Sequence, residues 1–120
     1  MKVLMLNASP HIKGCTYAAL CEVKAALEGE GVAADIVHCG VDTAVCSDCG
    51  YCRHSDPPRC AEDDMLNRVL DILDDYDALV LGSPVHYAAA SAIAAAFFDR
   101  LFWIASDRLA FKPGAAVVSA

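Results

Sequence analysis

Lys2-Val3-Leu4-Met5-Leu6 runs directly into Asn7-Ala8-Ser9-Pro10-His11-Ile12-Lys13-Gly14-Cys15-Thr16, and that polar loop opens a stretch, Tyr17 to Glu30, with apolar residues at helical spacing. An apolar run without alternation has both faces covered, as a parallel strand between helices does. In the helix the inward positions are Ala18, Leu20, Cys21, Val23 and Leu27, and Gly31 ends it. Ala34 to His38 reads as a second strand. Further along, Glu62-Asp63-Asp64 puts acid at a helix start, where it complements the dipole, and Met65, Val69, Ile72 and Leu73 form the buried stripe of that helix. Ala78 to Leu81 is a third strand, Ser91 to about Ser106 a third helix, and Ala115 to Val118 a fourth strand after the Lys112-Pro113-Gly114 turn. The alternation predicts an α/β fold: a doubly wound parallel sheet covered on both faces, in one domain over residues 1–120, with a Cys-rich loop at about 41–60 breaking the rhythm.

Composition sets the chemical setting. The chain has a net charge of −7, which argues against nucleic acid or an anionic membrane as partner, since both are held through Lys and Arg surfaces. No apolar run reaches the roughly 20 residues of a membrane span, so the 57% hydrophobic content is expected to fill a core. Seven cysteines are an odd number and no cleavable leader opens the sequence, so a reducing, cytoplasmic setting is expected. Clustered thiols there serve as ligands or redox groups more often than as disulfides.

Four of the seven, Cys46, Cys49, Cys52 and Cys60, stand in the spacing C-x2-C-x2-C-x7-C. Zinc sites usually pair two C-x2-C units separated by a dozen or more residues. A C-x2-C-x2-C run instead suits three corners of an iron–sulfur cube, with Cys60, beyond Pro57-Pro58, available for the fourth iron. A zinc site and a metal-free thiol loop remain the alternatives at this point. Cys21 and Cys39 read as small apolar core residues.

In a doubly wound sheet, ligands settle at the carboxyl ends of the strands, where the winding reverses. After the first strand, the Ser9 and Thr16 hydroxyls, the Gly14 backbone and the free amides of the first helical turn could encircle a phosphate, with Lys13 adding charge. The loop is neither a nucleoside-triphosphate loop nor a G-x-G-x-x-G turn; the plainer alternative makes Ser9 and Thr16 turn and cap residues. After the third strand, Gly82-Ser83-Pro84-Val85-His86-Tyr87 offers a proline, an aliphatic residue and two rings to a flat heteroaromatic molecule. Its plainer alternative is a strand-to-helix turn with Tyr87 packed onto the core and His86 solvated. A phosphate at one loop and a flat ring at the next describe a mononucleotide.

Together these segments resemble the flavodoxin-like NAD(P)H-dependent FMN reductase family. The resemblance rests on S-P-x-x-x-G-x-T at Ser9 to Thr16, G-S-P-V-x-Y at Gly82 to Tyr87, F-F-D-R-L-F at Phe97 to Phe102 and K-P-x-A-x-V-x-S at Lys112 to Ser119. It implies a three-layer α/β/α fold in which Ser9, Pro10, Lys13, Gly14, Cys15 and Thr16 hold the FMN phosphate. Ser83, Pro84, Val85, His86 and Tyr87 would border the isoalloxazine, and Ser119 belongs to the same cofactor site. Cys15 stands where the family commonly has a small polar residue, often Asn. One branch, the iron–sulfur flavoproteins, carries a compact four-cysteine motif like Cys46 to Cys60. The family domain continues past the fourth strand into another flavin loop, a helix and a strand, so this sequence resembles a domain lacking its last helix and strand, with an open sheet edge that a partner chain could cover.

The resemblance implies an NAD(P)H-dependent FMN oxidoreductase that reduces a small acceptor; the alternative is an electron carrier in which a [4Fe-4S] cluster exchanges electrons with a redox protein through FMN. No side chain is expected to be catalytic. Asp63 and Asp64, like Asp74 and Asp75, read as solvated helix-end charges, and His11, His38 and His54 as surface residues. Phe97, Phe98, Phe102 and Trp103 read as core or subunit packing, and a homo-oligomer is expected.

Overall fold

The computed structural model describes residues 1–120, and its sheet follows the expected winding. Strand β1 (Lys2–Asn7) is central, paired in parallel with β2 (Ala33–His38) on one side and β3 (Ala78–His86) on the other. Strand β5 (Gly114–Ser119) pairs in parallel with the far edge of β3, giving the parallel order β2-β1-β3-β5. Helix α1 (Cys15–Gly29) lies on one face, and α2 (Met65–Ile72) and α3 (Ala92–Leu109) lie on the other.

The unbroken apolar run of β1 is explained by these layers. Val3 and Met5 pack with Leu20, Ala34, Ala78 and Val80 on the α1 side. Leu4 and Leu6 pack with Leu66, Val69, Leu70, Phe97 and Leu101 on the α2–α3 side. Leu4, Leu6, Leu20, Leu66 and Leu101 are all fully buried, each contributing about 1.5–3 kcal/mol relative to exposure. At the carboxyl end of the sheet, Asn7 stands between His38 on β2 and Gly82 on β3. The chain winds from β1 to β2 on one side and crosses over to β3 on the other, so the crevice of a doubly wound sheet falls there.

Several boundaries differ from the expectation for physical reasons. Helix α1 begins at Cys15, taking Cys15 and Thr16 out of the loop and into the first turn. Strand β3 continues through Gly82–His86 because Gly82, Ser83 and Pro84 pair in parallel with Val117, Val118 and Ser119 of β5, and Val85 and His86 pair antiparallel with Ala90 and Ala89 of the short strand β4 (Ala89–Ala90). Cys21 is only half-buried, since the face of α1 that meets the sheet runs through Thr16, Leu20, Val23 and Leu27. Cys39 is buried as expected, 1% exposed. Among the aromatic residues, Phe97 is core, whereas Phe102 and Trp103 are exposed. Strand β5 lies at the sheet edge, with Val118 exposed. No helix is long and apolar enough to cross a membrane.

Candidate functional site

The loop after β1 is shaped by its own short side chains. Asn7, fully buried, accepts from the Ser9 N–H at 3.1 Å through Oδ1 and donates to the Ile12 carbonyl at 3.2 Å through Nδ2. Ser9 Oγ accepts from the His11 N–H at 3.1 Å, which leaves the hydroxyl proton free for another acceptor. Gly14 closes the loop where any Cβ would stand 2.9 Å from His11 Cβ. Being glycine, Gly14 also leaves α1 without a side-chain cap, whereas α2 is capped by Asp64 and α3 by Ser91. The N–H groups of Cys15, Thr16 and Tyr17 therefore meet no acceptor in the chain, and the first turn carries no acidic residue. Lys13, exposed nearby, makes no ion pair. This is the arrangement an anionic group needs. Pro10 and Cys15 are exposed at its rim. Thr16 is 1% exposed, and its hydroxyl lies 2.7 Å from Ser119 Oγ, fastening the end of β5 to the start of α1.

The β3 end is tied to this loop by hydroxyls. Ser91 Oγ donates to the Ala8 carbonyl at 2.7 Å, and Ser83 Oγ accepts from the Ser91 N–H at 3.0 Å while donating to the Pro84 carbonyl. Ser83 is thus buried beneath the site, whereas Val85, His86 and Tyr87 lie exposed above it. Tyr87 and Ala88 form the two-residue turn between β3 and β4 with φ of 47° and 61°. Turns of that kind favour Asn-Gly, and left-handed backbone at other residues costs on the order of 1–3 kcal/mol. Tyr87 does not pack onto the core: the hairpin holds its ring fully in solvent, facing no protein group.

Beside this crevice, Cys46, Cys49, Cys52 and Cys60 all line one pocket, closed on its far side by Arg100, Trp103 and Ile104 of α3. All four are free thiols. The four line that pocket without any three metal-binding side chains converging as the ligands of a single ion do. Cys46 and Cys49 are exposed on a segment with no helix or strand, and Cys52 sits in a 3₁₀ turn (Tyr51–Arg53). Cys60 is held differently: Asn67 accepts from its N–H at 2.9 Å and donates to its carbonyl at 3.1 Å, and Arg100 Nη1 reaches its Sγ at 3.3 Å.

Arg100 is 2% exposed and forms a buried ion pair with Asp64. Asp64 is therefore no solvated helix-end charge. It caps α2 through the Leu66 N–H, accepts from the Ala44 N–H at the head of the cysteine loop, and takes the Arg100 fork. Burial works to raise the Asp64 carboxyl, but these hydrogen bonds outweigh it and hold the group below the usual carboxylate range. For Arg100, burial works downward, and the bonds to Asp64 and Cys60 outweigh it, raising the guanidinium. His38 is likewise no surface residue: Nδ1 accepts from the Gly40 N–H at 3.1 Å, so Nε2 carries the proton and donates to the Ser9 carbonyl at 2.7 Å. One imidazole thus bridges the β1 loop and the head of the cysteine loop.

Residues 1–120 match the family model described as NADPH-dependent FMN reductase. The chain belongs to that family. It is similar to the protein named iron-sulfur flavoprotein of Archaeoglobus fulgidus, 29% identical over 102 residues, which cover 83% of this chain and 48% of that protein. Among solved structures, the NAD(P)H:quinone oxidoreductase from Methanothermobacter marburgensis superposes with a TM-score of 0.66 at 19% identity, over 85% of this chain and 53% of that one. An oxidoreductase from Corynebacterium diphtheriae superposes with a TM-score of 0.64 at 20% identity, over 99% and 63%. These likenesses give a flavodoxin-like fold, and the chain spans about half the length of the curated relative it matches. Sequence reasoning missed several residues of the FMN reductase domain that build the site: Ser91, His38, Asn67, Asp64 and Arg100. Only Arg100 carried a local signal, an arginine one residue before Leu101 on the inward stripe of α3, among Phe97, Leu101 and Ile104.

Proposed function

We propose that the chain forms the FMN-binding part of an NAD(P)H-dependent oxidoreductase, with the phosphate received by the loop from Ser9 to Thr16 and the isoalloxazine bordered by Pro84 to Tyr87. One observation carries this reading: the uncapped start of α1, its free amides and the Ser9 hydroxyl proton lie at the strand end next to an exposed, unpartnered aromatic turn. Bound there, FMN would supply hydride acceptance from a nicotinamide and transfer of electrons singly or in pairs. The protein's share is positional. The amides of Cys15, Thr16 and Tyr17 and the charge of Lys13 would neutralise the phosphate, and hydrogen bonds to such a charged group are worth about 1.5–3 kcal/mol each. Ser83 and Ser91 hold the two loops in register, and the Tyr87–Ala88 turn presents the ring. One phosphate nest with no second glycine-rich turn favours FMN over FAD. The acceptor is a small molecule or a redox protein.

The thiol pocket favours a second, compatible reading, in which Cys46, Cys49, Cys52 and Cys60 hold a [4Fe-4S] cluster that relays single electrons to or from the flavin. Its support is the gathering of all four thiols on one pocket, together with the similarity to a protein named for such a cluster. Anaerobic reconstitution with FMN, FAD, iron and sulfide, followed by cofactor mass analysis, metal analysis and a visible spectrum, tests both. FMN retained in preference to FAD, with about four irons per chain, is the expected result. No flavin, or FAD alone, overturns the first reading; flavin without iron leaves the plain reductase.

A further inference from the structure

Four of the five N–H bonds of the Arg100 guanidinium are placed by the fold. Nε donates to the Ala96 carbonyl one turn back at 3.4 Å; Nη1 is shared between Asp64 Oδ1 and Cys60 Sγ, both at 3.3 Å; and Nη2 donates to Asp64 Oδ2. A charge this deeply buried needs a partner, and Asp64 supplies one. Asp64 alone does not explain the third contact. A neutral thiol is a weak acceptor, and aiming a guanidinium N–H at one gains little, whereas a metal-bound thiolate is negatively charged and accepts strongly. The three other pocket thiols receive no such donor, and of the four only Cys60 has its main chain clamped on both sides, by Asn67.

We propose that Arg100 is a positioning residue for the thiol pocket: it holds Cys60 as the one preset ligand and, through its N–H···S bond and its charge, raises the electron affinity of the cluster bound there. The inference rests on reading the pocket as a cluster site. Hydrogen bonds to cluster sulfurs and local positive charge favour the more negative, reduced state, and low solvent exposure strengthens both effects. That condition is met at the Arg100–Cys60 contact, where the guanidinium is buried and Cys60 half-buried, while Cys46 and Cys49 lie exposed. Asp64 completes the device. By accepting from Ala44 and Leu66 while gripping Arg100, it joins the head of the cysteine loop and the start of α2 to the helix that carries the charge.

The test uses the full chain, reconstituted anaerobically, with cluster potential read by redox titration of the visible absorbance and cluster stability by the rate of iron loss to a chelator. Three proteins are compared with the unaltered chain. Arg100→Lys keeps the charge but can reach only one of its two partners. Arg100→Met with Asp64→Asn removes both buried charges together and so avoids stranding either, while Asn still caps α2. Arg108→Gln removes a different α3 arginine, one that pairs with Asp74 away from the sulfurs. The first two are expected to bind iron, titrate at a more negative potential, with the double variant displaced further, and lose iron several-fold faster; Arg108→Gln is expected to match the unaltered chain. Iron bound at an unchanged potential in the Arg100 variants, an equal displacement in Arg108→Gln, or failure of both Arg100 variants to fold would overturn the role of Arg100 alone. No iron in the unaltered chain would overturn the cluster reading and this inference with it.

Discussion

The two loops that meet at the carboxyl edge of the sheet are built on opposite plans. The Ser9 to Thr16 loop is shaped by its own neighbours, with Asn7 folding it, Gly14 closing it and α1 starting inside it, and His38 and Ser119 only fasten its two ends. Its functional groups are largely main-chain amides, placed as soon as the helix forms. The segment from Val41 to Cys60 has only one 3₁₀ turn and is held at its two ends by Asp64, Asn67 and Arg100, of which Arg100 lies 40 residues from the cysteine it touches. A ligand received by backbone can be served by a local motif. A ligand that brings its own metal–sulfur bonds leaves the loop free, and the fold supplies the outer partners from elsewhere.

The largest expected effect separates the two plans outright. Serine in place of Cys46, Cys49, Cys52 or Cys60 should each take reconstituted iron from about four per chain toward zero while FMN binding is kept. Cys15→Ser and Cys21→Ser should keep the iron. Joint loss of flavin and iron in the single loop variants, measured on the same samples, would mean that the loops are one unit and the comparison is wrong.

Next in size is Gly82→Ala, which strikes the scaffold shared by both. The new Cβ would sit 2.8 Å from Leu20 Cδ1 and 3.1 Å from both Leu20 Cγ and Thr16 Cγ2. Overpacking of this kind costs about 1–3 kcal/mol, to be read from urea unfolding. Because the displaced atoms belong to α1, FMN affinity should fall while iron content holds.

Within the phosphate loop, Ser9→Ala should weaken FMN by about 1–3 kcal/mol and leave riboflavin nearly unchanged, since only the phosphate is affected. Thr16 sharpens the point, because its hydroxyl is already bonded to Ser119. If the two hydroxyls act together, Thr16→Ala and Ser119→Ala will cost similar amounts and their double variant little more than either. Additive losses in titrations of the three variants would place Thr16 directly on the phosphate.

Legibility in the sequence followed the same division. The strands and helices were readable because each buried face repeats along its own segment, and spacing alone picked out the four thiols that line one pocket. Strand β3 was read short because Gly82-Ser83-Pro84 has loop composition, while its extension depends on pairing with β5, beyond α3 in the chain, and on a left-handed turn at Tyr87 and Ala88 that lacks the usual Asn or Gly. Asp64 was read as solvated because its partner, Arg100, is 36 residues away and nothing near Asp64 announces it. Cys21 was placed one position off the inward stripe of α1, a rotation of about 100° that turns a buried residue into a half-buried one.

The smallest effect concerns Cys39, which lies between the two loops and belongs to neither site. Burial pushes its thiol up to about 12 from an ordinary 9.0. Only the thiolate is nucleophilic, so Cys39 should stay unlabelled by iodoacetamide in the folded chain at pH 8, while the exposed Cys15 reacts and is shielded by FMN. The same shift fixes the sign of a stability change. Below the ordinary value both states keep the proton and Cys39 contributes no slope; above it the unfolded chain releases the proton first, so stability falls as pH rises. The window runs from 9.0 to about 12, with a limiting slope of about 1.4 kcal/mol per pH unit for one proton. Unfolding curves of the unaltered chain and Cys39→Ala between pH 8 and pH 10 isolate the contribution. Parallel pH dependence in the two, or labelling of Cys39 at the rate of Cys15, would show that the carboxyl edge of the sheet opens to solvent near Cys39 and that the two loops are less firmly separated than their hydrogen bonds imply.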